Sequence, residues 1–146
     1  MLLVVDASTL VAEALRVRGR ALLLHSGLDL MVPIEVWGEF EHELDKRIAV
    51  IAARGISTGV PREEIVGSGL DELRTRLTVV PAAMYVDALD EARRRVPRDP
   101  RDAPSVALTL TLGCGILTGD YDFFGCGVPV WTVETLLLHL EADATS

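Results

Sequence analysis

The stretch Asp102-Ala103-Pro104-Ser105-Val106-Ala107-Leu108-Thr109-Leu110-Thr111-Leu112-Gly113-Cys114-Gly115-Ile116-Leu117-Thr118-Gly119-Asp120-Tyr121-Asp122 decides how this chain folds. From Ala103 to Gly119 it carries no charged side chain. It is too short to span a membrane, and Pro104, Gly113 and Gly115 interrupt it. It reads as a buried helix from Asp102 to Leu112, with Pro104 in its first turn, followed by a buried strand from Gly115 to Thr118. An acid then ends the apolar run. The chain opens in the same way, with Leu2-Leu3-Val4-Val5 ended by Asp6.

Working outward, other short apolar runs alternate with helical patterns. A helix follows Asp6 through about Arg16, capped by Asp6 or Ser8. A second is expected around Ala21 to Ser26. Leu30-Met31-Val32 is a strand stopped by Pro33. Pro33 then starts the longest helix, with Ile34, Trp37, Leu44, Ile48 and Ile51 at helical spacing and Phe40 and Glu41 bordering the stripe. Gly55 and Gly59 punctuate its end. Pro61 to about Arg76 is helical in pattern. Thr78-Val79-Val80 is a strand, Ala83 to Arg95 a helix, and Pro97 to Arg101 a loop. Val128 to Trp131 is a last strand, and Thr132 caps a helix to about Glu141. Such alternation predicts an α/β fold with a mostly parallel sheet, helices on both faces and right-handed crossovers.

The chain has 146 residues and 49% apolar content, which suits a single domain over residues 1–146 with a true core rather than a disordered chain. Lys+Arg is 14 against Asp+Glu 22, a net charge of −8, so a plain nucleic-acid-binding module is disfavoured. A metal-dependent nuclease is less so, because metal ligands supply part of the negative charge and the ion reverses it locally. Cys114 and Cys126 have no histidine pair at zinc-ligand spacing and read as thiols. His25, His42 and His139 are scattered. Asp6 interrupts the N-terminal run and no basic segment precedes it, so no secretory signal or membrane span is expected, and a cytoplasmic setting follows.

The aspartates carry the chemistry. In a parallel sheet Asp6 and Asp120 leave the carboxyl ends of buried strands, where ligands bind. Asp102 joins them if the loop from Pro97 folds back, and Asp122 follows Asp120 by two. Carboxylates gathered there repel one another unless a hard divalent cation neutralises them, and Mg²⁺ prefers such oxygen ligands. Each acid also has an ordinary explanation. Asp6 suits a strand-end turn, Asp102 a helix N-cap, and Asp120 and Asp122 turn formers. The long helix adds Glu35, Glu39 and Glu43 at i, i+4 and i+8; spacing alone does not choose between Glu39 and Glu43. Arg93, Arg94, Arg95, Arg98 and Arg101 precede Asp102, as a solvated helix end or as a phosphate-guiding patch.

Four segments in order resemble the PIN-domain family across essentially the whole chain: Val4-Val5-Asp6-Ala7-Ser8-Thr9-Leu10; Val32-Pro33 with Glu39 six residues on; Arg98-Asp99-Pro100-Arg101-Asp102 before Val106-Ala107-Leu108; and Ile116-Leu117-Thr118-Gly119-Asp120-Tyr121-Asp122-Phe123. Small chains of this kind resemble VapC-type toxins. The resemblance implies a three-layer α/β/α fold and a Mg²⁺- or Mn²⁺-dependent ribonuclease. Asp6, Glu39, Asp102 and Asp120 match the acidic quartet. Asp6, Asp102, Asp120 and Asp122 are the implied metal ligands, and Ser8 and Thr118 match hydroxyls beside the site. Asp99 competes with Asp102 for the third position, and Glu43 with Glu39 for the second. Arg94, Arg95, Arg98 and Arg101 are the candidate RNA contacts.

The implied partners are an RNA substrate, a cognate antitoxin and a second copy in a homodimer. Two other readings keep the fold: an RNA-processing nuclease that is not a toxin, and a catalytically silent interaction domain. Aspartyl phosphotransfer ranks low, because the only lysine, Lys46, lies in an acidic helix.

Overall fold

The computed structural model describes residues 1–54 and 70–145. Its sheet has five strands, β1 (Leu2–Val5), β2 (Asp29–Pro33), β3 (Thr78–Val80), β4 (Gly115–Leu117) and β5 (Val130–Trp131). They lie in the order β3-β2-β1-β4-β5, and every pairing is parallel. The helices described are α1 (Ala7–Ala14), α2 (Val17–Leu23), α3 (Ile34–Arg54), α4 (Leu70–Arg76), α5 (Leu89–Arg95), α6 (Ala103–Leu112) and α7 (Val133–Thr145).

Alternation along the strands divides the interior in two. Leu3 and Val5 of β1, Leu30 and Val32 of β2 and Leu117 of β4 pack with α1, α2, α3 and Leu136 of α7. Val4 and Ile116 point to the other face, against Ala92 of α5 and Val106, Ala107 and Leu108 of α6. Central parallel strands covered on both sides need continuous apolar sequence. That is why β1 and β4 read as unbroken hydrophobic runs. The arrangement is the three-layer α/β/α fold.

The sheet order carries the functional geometry. The chain leaves β1 outward through β2 and β3, then returns to the opposite side of β1 to form β4. The order therefore reverses between β1 and β4, and the crevice beyond their carboxyl ends is where α/β sheets bind ligands. Register completes the placement: Val5 pairs with Leu117, and the Asp6 amide bonds the Leu117 carbonyl at 3.3 Å. Asp6 and Thr118 thus emerge side by side.

Several boundaries differ from those expected. The second helix begins at Val17 rather than near Ala21. Ile34 is 46% exposed and lies off the buried face of α3, which Val36, Trp37, Phe40, Leu44 and Ile48 form instead. The expected helix from Ala83 is two 3₁₀ turns, Ala82–Met84 and Val86–Ala88, before α5 begins at Leu89. Tyr85, between them, is fully buried and its hydroxyl donates to Glu35 on α3, which turns this backbone inward. Of the helix expected from Pro61, residues 61–69 lie outside those described, as do Gly55 and Gly59; Leu70–Arg76 is helical. α6 ends at Gly113, whose φ of 65° is the left-handed C-cap that favours glycine. Cys114 and Cys126 are free thiols. No helix among the described residues is long and apolar enough to cross a membrane.

Candidate metal centre

Asp6 is the first residue past β1 and the N-cap of α1. Its Oδ1 accepts from the Thr9 amide at 2.9 Å. Its Oδ2 accepts from the Thr118 hydroxyl at 2.6 Å and from the Ser8 hydroxyl at 3.3 Å. The side chain is held firmly, and the residue is only 5% exposed. Thr118, fully buried just past β4, also accepts from the Asp120 amide at 3.0 Å. One hydroxyl therefore fixes two acids that are distant in sequence. A second clamp runs from the Gly119 amide to the Thr9 hydroxyl at 3.2 Å. Asp120 in turn caps the 3₁₀ turn Tyr121–Phe123, accepting from the Asp122 amide at 2.9 Å.

The loop after α5 does fold back. Asp99 accepts from the Arg101 amide at 3.0 Å and opens the 3₁₀ turn Pro100–Asp102, which delivers Asp102 to the start of α6. Asp102 occupies the N-cap position of that helix, yet its side chain makes no capping hydrogen bond. Its Oδ2 is buried and has no hydrogen-bond partner among the described residues. One carboxylate oxygen each from Asp102, Asp120 and Asp122 lies within 4.8 Å of the others. Burial, then the negative charges of Asp99, Asp120, Asp122 and Asp6, push the Asp102 carboxyl up to about 7. An unpaired, partly desolvated carboxylate among like charges is costly without a counter-ion.

A cavity of about 150 Å³ collects these groups, lined by Asp6, Ser8, Glu39, Asp99, Asp102, Ser105 and Asp120 among others. Glu39 reaches it from α3. Glu43, one turn further on, pairs with Lys46 at 3.4 Å and does not line it. Asp122 faces an adjoining cleft shared with Asp102 and Arg98. The cavity's all-oxygen donor set fits a hard divalent cation such as Mg²⁺ or Mn²⁺.

The arginines divide. Arg93 pairs with Asp90 at 3.0 Å, Arg94 with Glu91 at 2.6 Å, and Arg95 with Glu91 at 2.9 Å and the Cys126 carbonyl at 3.2 Å. These are mainly last-turn cations neutralised within α5. Arg98 and Arg101 instead meet the acids. Arg98 bonds Asp122 at 3.0 Å, while Arg101 holds Asp99 at 2.9 Å and approaches Glu39 at 3.8 Å. The Arg101 guanidinium keeps the Asp99 carboxyl below its usual range.

Sequence reasoning missed Thr9 and Ser105. Each lies three residues after an acid of the cavity, Asp6 and Asp102, so helical spacing would have found both. It also missed the exposed rings of Tyr121 and Phe124, which flank the acids and lie 5.5 Å apart.

A parallel α/β sheet with an acidic pocket at its order reversal defines the class of molecule. A family model described as PIN domain matches residues 4–141, and the chain belongs to that family. Among solved structures it is similar to PAE2754 from Pyrobaculum aerophilum, with 21% identity, a TM-score of 0.65, and coverage of 97% of this chain and 90% of that one. It is also similar to FitAB bound to an IR36 DNA fragment, with 19% identity, a TM-score of 0.52, and coverage of 90% and 94% respectively. At these identities the likeness is one of fold. No curated protein sequence matches the chain significantly.

Proposed function

We propose that this chain is a Mg²⁺- or Mn²⁺-dependent ribonuclease that hydrolyses RNA phosphodiester bonds. The observation that carries the reading is the unpartnered, buried Oδ2 of Asp102, set among Asp120, Asp122 and Asp6. Asp102, Asp120 and Asp122, whose carboxylate oxygens lie within 4.8 Å of one another, would hold the ion together with Asp6, which lines the cavity shared with Asp102 and Asp120. Bound there, a divalent ion lowers the pKa of water and stabilises charge on a phosphate oxygen.

The protein groups have separable tasks. Thr118 and Ser8 orient Asp6 by donating to its Oδ2. Glu39, which lines the cavity, would complete the shell around the ion or orient the attacking water. Arg98 and Arg101 are exposed, and exposed ion pairs are weak, so each can exchange its carboxylate for a phosphate oxygen.

The VapC-type resemblance extends this reading to a cytoplasmic toxin that forms a homodimer and is restrained by a cognate antitoxin. An antitoxin arginine placed among the carboxylates would displace the metal. A processing nuclease would share the chemistry and lack that partner; a silent domain would lack both.

The test is cleavage of tRNA, rRNA, mRNA and DNA by purified protein in Mn²⁺, beside a chelator control and an Asp120→Asn variant. Metal-dependent RNA cleavage that Asp120→Asn abolishes supports the reading. Equal activity in the variant, or none from the natural sequence, refutes it. Co-expression with the neighbouring reading frame tests the toxin assignment: growth arrest by this chain alone, relieved by its neighbour, is the expected result.

A further inference from the structure

We infer that Ser105 is a positioning residue of the acidic cavity: its hydroxyl and the Oδ2 of Asp102 share one ordered water, which they aim at the phosphodiester bond. The inference rests on the ribonuclease reading and adds a residue to its machinery. Ser105 stands in the first turn of α6, three residues after Asp102. It is 1% exposed and lines the cavity of about 150 Å³. Its neighbours along the helix, Ala103, Val106, Ala107 and Leu108, belong to the apolar layer between α6 and the sheet. A helical hydroxyl that cannot reach solvent commonly turns back to the carbonyl four residues earlier. Thr109 and Thr111 of the same helix do so, donating to the Ser105 and Ala107 carbonyls at 2.7 and 2.8 Å. The Ser105 hydroxyl makes no such bond, and it has no hydrogen-bond partner among the described residues.

Two polar groups of one small cavity are therefore unsatisfied within the chain. The Asp102 Oδ2 is buried without a partner, and the Ser105 hydroxyl does not close onto it although both residues line the same space. Buried polar groups are satisfied by protein or by ordered water, and a polar cavity of this size admits a water. A water between the two donates one proton to the Asp102 Oδ2 and the other to the Ser105 Oγ. Its oxygen lone pairs then face the space that Asp6, Glu39 and Asp120 also border. A carboxylate oxygen has two acceptor sites, so Oδ2 accepts that proton and still faces a divalent ion. The other hydroxyls beside the site are committed, since Ser8 and Thr118 both donate to Asp6. No bond to Ser105 forms or breaks. Its part is orientation, because a water held in line reacts faster than one free to tumble.

The experiment compares the natural chain with Ser105→Ala, Ser105→Cys and Ser105→Thr, with melting curves confirming each fold. Crystals grown in chelator should show one water within hydrogen-bond reach of both the residue 105 hydroxyl and the Asp102 Oδ2 in the natural chain and in Ser105→Thr. The alanine and cysteine variants should lack it. With Mn²⁺ and an RNA oligonucleotide, kcat should fall about tenfold in Ser105→Ala and Ser105→Cys at unchanged KM, and should stay near its natural value in Ser105→Thr. Mn²⁺ affinity by calorimetry should be the same in all four proteins, because every carboxylate remains. A packing role would reverse the order, since cysteine matches serine in shape better than threonine does. A full rate in Ser105→Cys with a loss in Ser105→Thr therefore overturns the inference. So does a natural rate in Ser105→Ala, or a water that survives the alanine. Mn²⁺ affinity that falls with the hydroxyl also overturns it, by making Ser105 a direct ligand. The crystallographic readout separates the two readings. A water that depends on Ser105, in a chain that cuts no RNA, ends the ribonuclease and keeps the bridge to Asp102. Metal-dependent cleavage without that water does the reverse.

Discussion

Asp102 is where the acidic site is least comfortable. Its carboxyl sits near 7, against an ordinary value of 3.8, chiefly because it is buried and then because other acids face it. The folded chain therefore binds a proton there that the unfolded chain releases. Where the unfolded state holds fewer protons, stability falls as pH rises. Metal-free protein should lose melting temperature progressively between about pH 4 and above pH 7, a trend that Asp102→Asn should flatten while raising the melting point at pH 8. Thermal melts in chelator check this, and an unchanged pH profile in the variant would contradict it. Thr118 works in the opposite sense. Its hydroxyl serves Asp6 at 2.6 Å and the Asp120 amide at 3.0 Å in a fully buried position. Thr118→Val leaves both without that partner and should cost about 1–3 kcal/mol, measurable by denaturant unfolding.

Helices α2 and α3 show how two helical glycines differ. A Cβ built on Gly19 would lie 2.2 Å from the Glu13 Oε2 and 2.6 Å from the Glu13 backbone oxygen. Gly19→Ala should therefore force α2 away from α1, at a cost of about 1–3 kcal/mol. Gly38, beside Glu39 in α3, has nothing within 4 Å of such a Cβ. Gly38→Ala should stabilise by about 0.5–1 kcal/mol, because glycine weakens an exposed helix interior. Equal effects of the two substitutions in urea would refute this contrast. The same elements mark what a sequence reveals. Strands β1 and β4 were plain, since doubly covered strands must be apolar throughout and the first acid marks their ends. Asp102 was readable as a helix start; that its side chain declines the capping role is a matter of the turn from Pro100, which no periodicity encodes. Glu39 and Glu43 share one face of α3, and only the packing of that helix against α1 decides which borders the cavity. Ile34 was drawn into the apolar stripe by spacing, although helix entry leaves it in solvent. The residues around Tyr85 read as helix because nothing local announces a tyrosine tethered to Glu35.

The molecule as a whole carries a net charge of −8, and much of its local repulsion converges on one cavity. Binding of a divalent ion should therefore stabilise the entire fold. Melting temperature should rise with Mn²⁺ concentration, following the linkage between occupancy and unfolding. The rise should vanish in Asp120→Asn and reverse on adding chelator; a manganese-independent melting point would argue against metal binding. The seam between β1 and β4 has one more consequence. The hydrogen bond from Thr118 to Asp6 spans 112 positions. During translation Asp6 leaves the ribosome long before its partners exist, and β1 must wait for β4 before the acids can meet. Nascent and prematurely terminated chains thus lack the assembled acidic cavity, which comes into being only when synthesis is nearly done.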